Sequence, residues 1–434
     1  VVNLKKKIIF ISREFWPNSN GTVACLENFL PLLGKDYDIT LYTTRTSFRS
    51  KEVERYHNIT LKRPRSFLDD IVLFKASLLS RINGLKAAGF VLDLLKILVR
   101  LFFFPSQRMA NRFGYSLGSY WVRNLNKHIE KHEDLEFFDI IMAVGAPFDN
   151  IRSACKVKLD FPDLKLILVE FDLFTDNPVY LNEDTRQNRE LRLKEENRWF
   201  ELASSILVTH EMNRVLETSE LGVWSSKVYP IGIPNLSSIY SFGPEIVFPK
   251  DDFFVNIVYT GIFYKDIRNP RFSLQVLMML IHRDSRIRFH ILGSGCEEVV
   301  REFKSKIGDN LVIHGYQTKA FAVNARYSSD FMWNIGNKTV SQAPSKIMEY
   351  IGSCKPIINI YTVDNDICRT YLRDYPLAIS IREDYDALHQ AVDEIYEFIL
   401  RHRGTTCSFD DIAPRYTDFL PRTFANKVVE LLES

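Results

Sequence analysis

Gln342-Ala343-Pro344-Ser345-Lys346-Ile347-Met348-Glu349-Tyr350-Ile351-Gly352-Ser353-Cys354-Lys355-Pro356-Ile357-Ile358 separates two short apolar runs, Phe331 to Ile335 and Ile357 to Ile360. Runs of this length and composition read as buried parallel strands. The segment between them reads as a short helix with a marked start and stop. Pro344 disfavours helical geometry before it, Ser345 is a good N-cap, and Gly352 and Pro356 end the helix. Ile347, Met348 and Ile351 give it one apolar face. A strand, a loop and a helix N-terminus make an anion site, because unpaired backbone N–H groups point outward there. Lys346 adds a positive charge at that end, and Glu349, one turn in, can accept two hydroxyl hydrogen bonds. A phosphate site beside an acceptor for a diol suits a sugar nucleotide.

The run resembles the donor-binding segment of retaining glycosyltransferases of the GT-B architecture, in the family 4-like group of bacterial surface-polysaccharide enzymes. Their pattern is roughly Pro-Ser-Lys, two hydrophobic residues, Glu-Tyr, four variable residues and Lys-Pro, then an apolar strand. The resemblance implies that Glu349 holds the ribose hydroxyls of the donor, and that Ser345 and Lys346 face the diphosphate or the transferred sugar. Many members carry a second Glu eight residues before the first. Here that position is Ser341, with Gln342 beside it as a donor contact.

A chain of 434 residues exceeds one typical core and predicts two domains. Apolar content of 46% with 25% charged residues fits a globular protein, and a formal charge of +2 argues against a general nucleic-acid binder. Cysteines 25, 155, 296, 354, 368 and 407 show no CxxC or metal-ligand spacing, which predicts reduced thiols in a cytoplasmic protein. The apolar run after Lys5-Lys6-Lys7 is too short for a signal peptide and reads as a first strand.

Upstream, Lys7 to Ser12, the loop Asn18-Ser19-Asn20-Gly21-Thr22, Val23 to Leu33 and Asp38 to Thr43 read as strand, loop, helix and strand. That alternation is a βαβ unit with a parallel sheet. The loop lies at the strand end where open α/β sheets place ligands, although an ordinary turn would look the same. It lacks GxGxxG, so a dinucleotide site has no support. In the resembling family this loop faces the interdomain cleft, which makes Asn20 and Gly21 acceptor-side candidates. Phe137 to Val144 and Leu164 to Phe171 are further strands, and the turns after them supply Asp149 and Asp172 as candidate contacts to acceptor hydroxyls.

Between these elements, Phe90 to Phe104 is strongly apolar, with Asp93, Lys96 and Arg100 on one helix face. From Lys75 to Lys127 the basic residues face a single acid, Asp93. An apolar face beneath a basic one suits a helix lying on an anionic membrane surface, and a helix packed on the sheet is the alternative. No stretch of the chain is long and apolar enough to span a bilayer.

The Pro- and Gly-rich segment 231–250 reads as an interdomain linker. The βα alternation then restarts, and a helix over Phe424 to Leu432 closes the chain, which in the GT-B fold crosses back to the first domain. The expected layout is an α/β GT-B fold of two facing Rossmann-like domains with a deep cleft. Residues 1–230 form the acceptor domain, 251–415 the donor domain and 416–434 the returning segment. In the resembling family the loop after the first strand of the second domain serves the donor phosphates. Here it is Thr260 to Pro270, with Gly261 for close backbone approach and Lys265 and Arg268 as phosphate clamps. Gly293 and Gly295 end the next strand, and Tyr316 sits where the family's chain passes the nucleotide base.

The activity implied is metal-independent sugar transfer from a UDP- or GDP-linked donor, with no cofactor beyond that co-substrate. The acceptor is a lipid-linked glycan or polysaccharide at the inner face of the cytoplasmic membrane. The rivals are a nucleotide-sugar epimerase of the same architecture and a catalytically silent subunit supporting a partner enzyme, the latter because Ser341 replaces Glu. Glu349→Ala is expected to weaken donor binding and spare the fold.

Overall fold

In the computed structural model the described residues are 5–17, 20–47, 49–65, 70, 73–74, 117–133, 135–175, 177, 186–248, 253–338 and 345–434, the side chains of 117–120 excepted. The apolar and basic stretch before residue 117, Ser341 and Gln342 lie outside this set. The chain forms two compact units. The first runs to Thr209 and includes Leu216–Pro230 and Lys427–Ser434; the second comprises His210–Val215 and Ile231–Asn426.

The first unit is built on an eight-stranded sheet of order β3-β4-β2-β1-β5-β6-β7-β8. Its strands are β1 (Lys7–Ile11), β2 (Asp38–Tyr42), β3 (Val53–Tyr56), β4 (Ile59–Lys62), β5 (Ile140–Val144), β6 (Lys165–Glu170), β7 (Ser205–Thr209) and β8 (Val228–Ile231). From β4 to β7 neighbouring strands are parallel, and β3 returns antiparallel to β4. Strands covered on both faces must be apolar throughout, as Ile8 to Ile11 and Ile140 to Val144 are, all buried. Helices α1 (Gly21–Leu33), α2 (Leu117–His132), α3 (Asp149–Asp160) and α4 (Arg186–Leu202) connect them, and α5 (His210–Glu217) follows β7.

The second unit has a six-stranded parallel sheet of order β11-β10-β9-β12-β13-β14. Its strands are β9 (Val255–Ile262), β10 (Ile287–Ser294), β11 (Leu311–Gly315), β12 (Phe331–Ile335), β13 (Ile357–Tyr361) and β14 (Ala378–Arg382). Helices α6 (Arg271–Arg283), α7 (Glu297–Ile307), α8 (Lys319–Ser328), α9 (Lys346–Ile351), α10 (Ile367–Leu372), α11 (Leu388–His402) and α12 (Phe409–Ile412) flank it. The last helix is α13 (Pro421–Glu433). One core cluster packs Phe272, Leu277, Phe303 and Ile395 against the sheet, and a second holds Leu236, Met348, Tyr350 and Phe419. The chain builds outward from β9 to β11 and then returns to the other side of β9 with β12. The switch point between β9 and β12 is where such sheets leave a crevice beyond the strand ends.

The segment expected as a linker packs with the second unit. Leu236, Ile239 and Phe248 are buried there, and the Ile239 N–H donates to Gly352 O at 3.0 Å. A Cβ on Gly352 would lie 2.2 Å from Ser237 O, so this segment also explains the glycine that ends α9. No helix among the described residues is long and apolar enough to cross a membrane.

Candidate functional site

Of the donor-site candidates, Gly261 lies at the end of β9 and Ser345, Lys346 and Glu349 follow β12, on the two sides of the switch point, with Gly293 and Gly295 on or just past the neighbouring β10. Gly261 and Gly293 are in register on β9 and β10, and a Cβ on Gly293 would sit 1.6 Å from Gly261 O. A Cβ on Gly295 would come 2.1 Å from Phe263 O. Both glycines are therefore required by the neighbouring strand's approach, which leaves bare backbone at the strand ends. After Gly261 and the end of β9 the chain folds into a tight loop, closed where the Arg268 N–H donates to Tyr264 O at 2.9 Å. Lys265 is exposed at its tip.

Arg268 turns inward instead. Its Nε and Nη2 donate to Asn337 Oδ1 at 3.1 and 2.6 Å, and it pairs with the buried Tyr259 hydroxyl. The Lys338 N–H donates to Ile267 O at 3.0 Å, which ties this loop to the one after β12. Tyr316, after β11, is exposed.

Helix α9 is fixed to the end of β9 by Tyr350. Its hydroxyl accepts from the Thr260 N–H at 2.8 Å and donates to Thr260 O at 3.2 Å. Ile347, Met348 and Ile351 are buried as their spacing predicts. Ser345 departs from expectation. It occupies the cap position, but its backbone is already helical (φ −56°, ψ −21°) and its side chain makes no capping bond. Side-chain capping needs an extended backbone there, which carries the hydroxyl back over the first turn.

Glu349 is the most constrained group of the site. Lys346 Nζ lies 2.7 Å from Oε1 and Arg326 Nη1 2.8 Å from Oε2, with 17% of the glutamate side chain exposed. Burial alone would raise its pKa, but the charges of Lys346 and Arg326 outweigh it and hold the carboxyl at about 2. It is an ionised acid held by two cations. Arg326, in the last turn of α8, escaped the sequence reading because a cation at a helix C-terminus ordinarily serves the dipole at the surface. Here it is 5% exposed. Asn337 and Tyr350 were also missed. Lys355 of the Lys-Pro pair is structural, donating to Tyr327 O and Ser329 O just past α8.

In the first unit the acceptor-side candidates have internal partners. Asn20 caps α1, its Oδ1 accepting from the Val23 N–H at 2.8 Å, and Gly21 is the first helical residue. Asp149 opens α3 with Oδ2 3.2 Å from Arg13 Nη1 and Oδ1 3.0 Å from Arg152 Nη1. The Arg13 N–H donates to Asn150 Oδ1 at 2.8 Å, so the loops after β1 and β5, neighbours at this sheet's own switch point, are locked together. Asp172 follows β6, where its charge adds to that of Glu196 in disfavouring ionisation of Glu170.

No known protein-family profile matches the sequence, and no curated protein does. Solved structures do match. The chain is similar to TarM, with a TM-score of 0.61 at 11% identity over 100% of this chain and 99% of that one. It is similar to sucrose-phosphate synthase from Thermosynechococcus elongatus, at 0.59 and 14% over 99% and 98% of the two chains. A putative UDP-N-acetylglucosamine 2-epimerase from Listeria monocytogenes gives 0.54 and 13% over 99% and 96%. At these identities the likeness is one of fold: the chain has the GT-B fold of two Rossmann-like domains.

Proposed function

We propose that the protein is a retaining, metal-independent glycosyltransferase moving a sugar from a UDP- or GDP-linked donor to a lipid-linked glycan or polysaccharide acceptor. Glu349 carries this reading: a mostly buried, ionised carboxylate on a helix that Tyr350 pins to the end of β9 at the switch point of the second sheet. An acid held charged in that place is suited to accept the two hydroxyls of a ribose. Lys265 and Lys346 are assigned as the cations for the donor diphosphate, with the bare backbone at Gly261, Gly293 and Gly295. Arg268, which turns inward to Asn337 and Tyr259, is assigned to that site as the cation that holds its loop. Ser345 and Gln342 are assigned to the diphosphate or sugar, and Tyr316 to the base. Asn20, Gly21, Asp149 and Asp172 are assigned to the acceptor, Asp149 through the arginine it orients.

In the reaction the anomeric C–O bond to the β-phosphate breaks and a bond to the acceptor oxygen forms on the same face. The acceptor proton passes to the leaving phosphate oxygen. Charge builds on the diphosphate as the sugar becomes oxocarbenium-like, and fixed cations stabilise that charge. No co-substrate beyond the nucleotide sugar is needed. The basic and apolar stretch before residue 117 is assigned to the inner face of the cytoplasmic membrane, where a lipid-linked acceptor is met.

The fold likeness to a putative epimerase keeps a second reading in play, and a silent subunit is the third. Purified protein incubated with UDP- and GDP-sugars plus membrane extract separates them. Nucleotide release with a glycosylated lipid is the expected result. A changed free donor indicates epimerisation, and neither product leaves the silent subunit.

A further inference from the structure

We propose that Arg326 is the positioning residue of the donor site: from α8 it pairs with Glu349 and, together with Lys346, keeps it charged and aimed, so that the carboxylate receives a ribose diol and discriminates against a 2′-deoxy sugar. The proposal rests on the ribose reading of Glu349. The groups facing that carboxylate are Lys346 on its own helix and Arg326 and Lys319 on α8. Lys346 contributes the largest charge that keeps the carboxylate ionised, but it is 32% exposed on a flexible stem of the same six-residue helix, so it holds the charge without fixing the carboxylate's direction.

Arg326 is different in kind. It comes from another element, its side chain is 6% exposed, and its Nε has no hydrogen-bond partner among the described residues. Its one ion pair among them is with Glu349. A guanidinium is not deprotonated in a protein, so a buried one forces its partner to stay ionised. Each carboxylate oxygen has two lone-pair directions. With Arg326 Nη1 2.8 Å from Oε2 and Lys346 Nζ 2.7 Å from Oε1, each oxygen is held by one cation and keeps further acceptor capacity, and two such oxygens on one carboxylate match the two hydroxyls of a vicinal diol. A nucleotide lacking one of those hydroxyls would leave a desolvated lone pair unmatched.

The test uses the full chain, calorimetric titration with UDP and GDP, and then the 2′-deoxy form of whichever binds, between pH 5 and 8. In Arg326→Met the ribonucleotide should bind about tenfold more weakly or worse, the loss of one charge-assisted contact's ordering. The ratio of wild-type to variant affinity should grow as pH falls, because Glu349, left with Lys346 and without Arg326, takes up a proton more readily in the variant. That ratio should approach one for the 2′-deoxy nucleotide. Arg326→Lys should keep the ratio independent of pH while losing part of the preference for ribose, and it carries the test if the methionine variant does not fold. A ratio equal at every pH and for both sugars means Arg326 only supports the fold, and overturns the proposal. Glu349→Gln separates the two ideas. If it binds ribonucleotide as wild type does, the ribose reading fails and this proposal with it. If it binds weakly while both Arg326 variants bind normally, the Arg326 proposal alone fails.

Discussion

Glu170→Gln should remove a pH-dependent weakness from the first unit. Glu170 ends β6 fully buried, and neither carboxylate oxygen has a hydrogen-bond partner among the described residues. Burial first, then the charges of Glu196 and Asp172, push its pKa well above that of an ordinary glutamate. The unfolded chain releases the proton near pH 4.3, whereas the folded chain retains it. Below that value both states are protonated and the stability contribution is complete. Above it only the unfolded state gains from ionisation, so stability falls by about 1.4 kcal/mol per pH unit until the folded pKa is passed. Glutamine cannot ionise and keeps nearly the same shape, so the variant should match wild type near pH 4 and exceed it by a margin that widens as pH rises until the folded pKa is passed. Urea denaturation followed by tryptophan fluorescence suits the measurement. Of the five tryptophans, Trp16, Trp121, Trp199 and Trp224 lie in the first unit and only Trp333 in the second. The reasoning is refuted if the difference between variant and wild type is the same at every pH, since Glu170 would then titrate as though its oxygens reached water.

The remaining expectations concern the second unit and the membrane. Glu349→Ala should weaken nucleotide binding, as the sequence alone implies, but it should also cost about 3–5 kcal/mol of stability by stranding Arg326; thermal melts of the unliganded variant check this. Gly293→Ala drives a Cβ to 1.6 Å from Gly261 O and should cost at least the upper part of the 1–3 kcal/mol range typical of overpacking. Gly308→Ala meets nothing within 4 Å, but its φ of +72° with ψ of −141° is close to glycine-only backbone, so it should still cost about 1–3 kcal/mol in a parallel urea titration. Placing charges on the apolar side of 90–104 should release the protein from anionic vesicles in a flotation assay, and retained binding would assign that stretch to the core.

Legibility in the sequence follows how local each interaction is. The parallel strands were readable because burial on both faces requires unbroken apolar runs, and the glycines because strand ends that touch tolerate nothing larger. The β3–β4 hairpin was not, since it turns through His57 at φ +50° and Asn58 without the Asn-Gly or Asp-Gly pair that marks such turns. The chain between Tyr361 and Phe424, with β14 and α10 to α12, likewise went unread. A signal there was available. Asn334 and Asn359 interrupt two apolar strands at matching positions, pair in register, and bond side chain to side chain at 2.7 Å, with Ser380 next at 3.3 Å. A buried amide needs a partner, so two such interruptions fix strand order and register together. Glu349 is the opposite case. Its spacing in α9 gives its position and its proximity to Lys346, but its charge state also draws on Arg326, which a different helix brings within 2.8 Å. A sequence pattern of this kind locates the carboxylate, whereas its electrostatics belong to the tertiary structure, and a nucleotide would sense both at once.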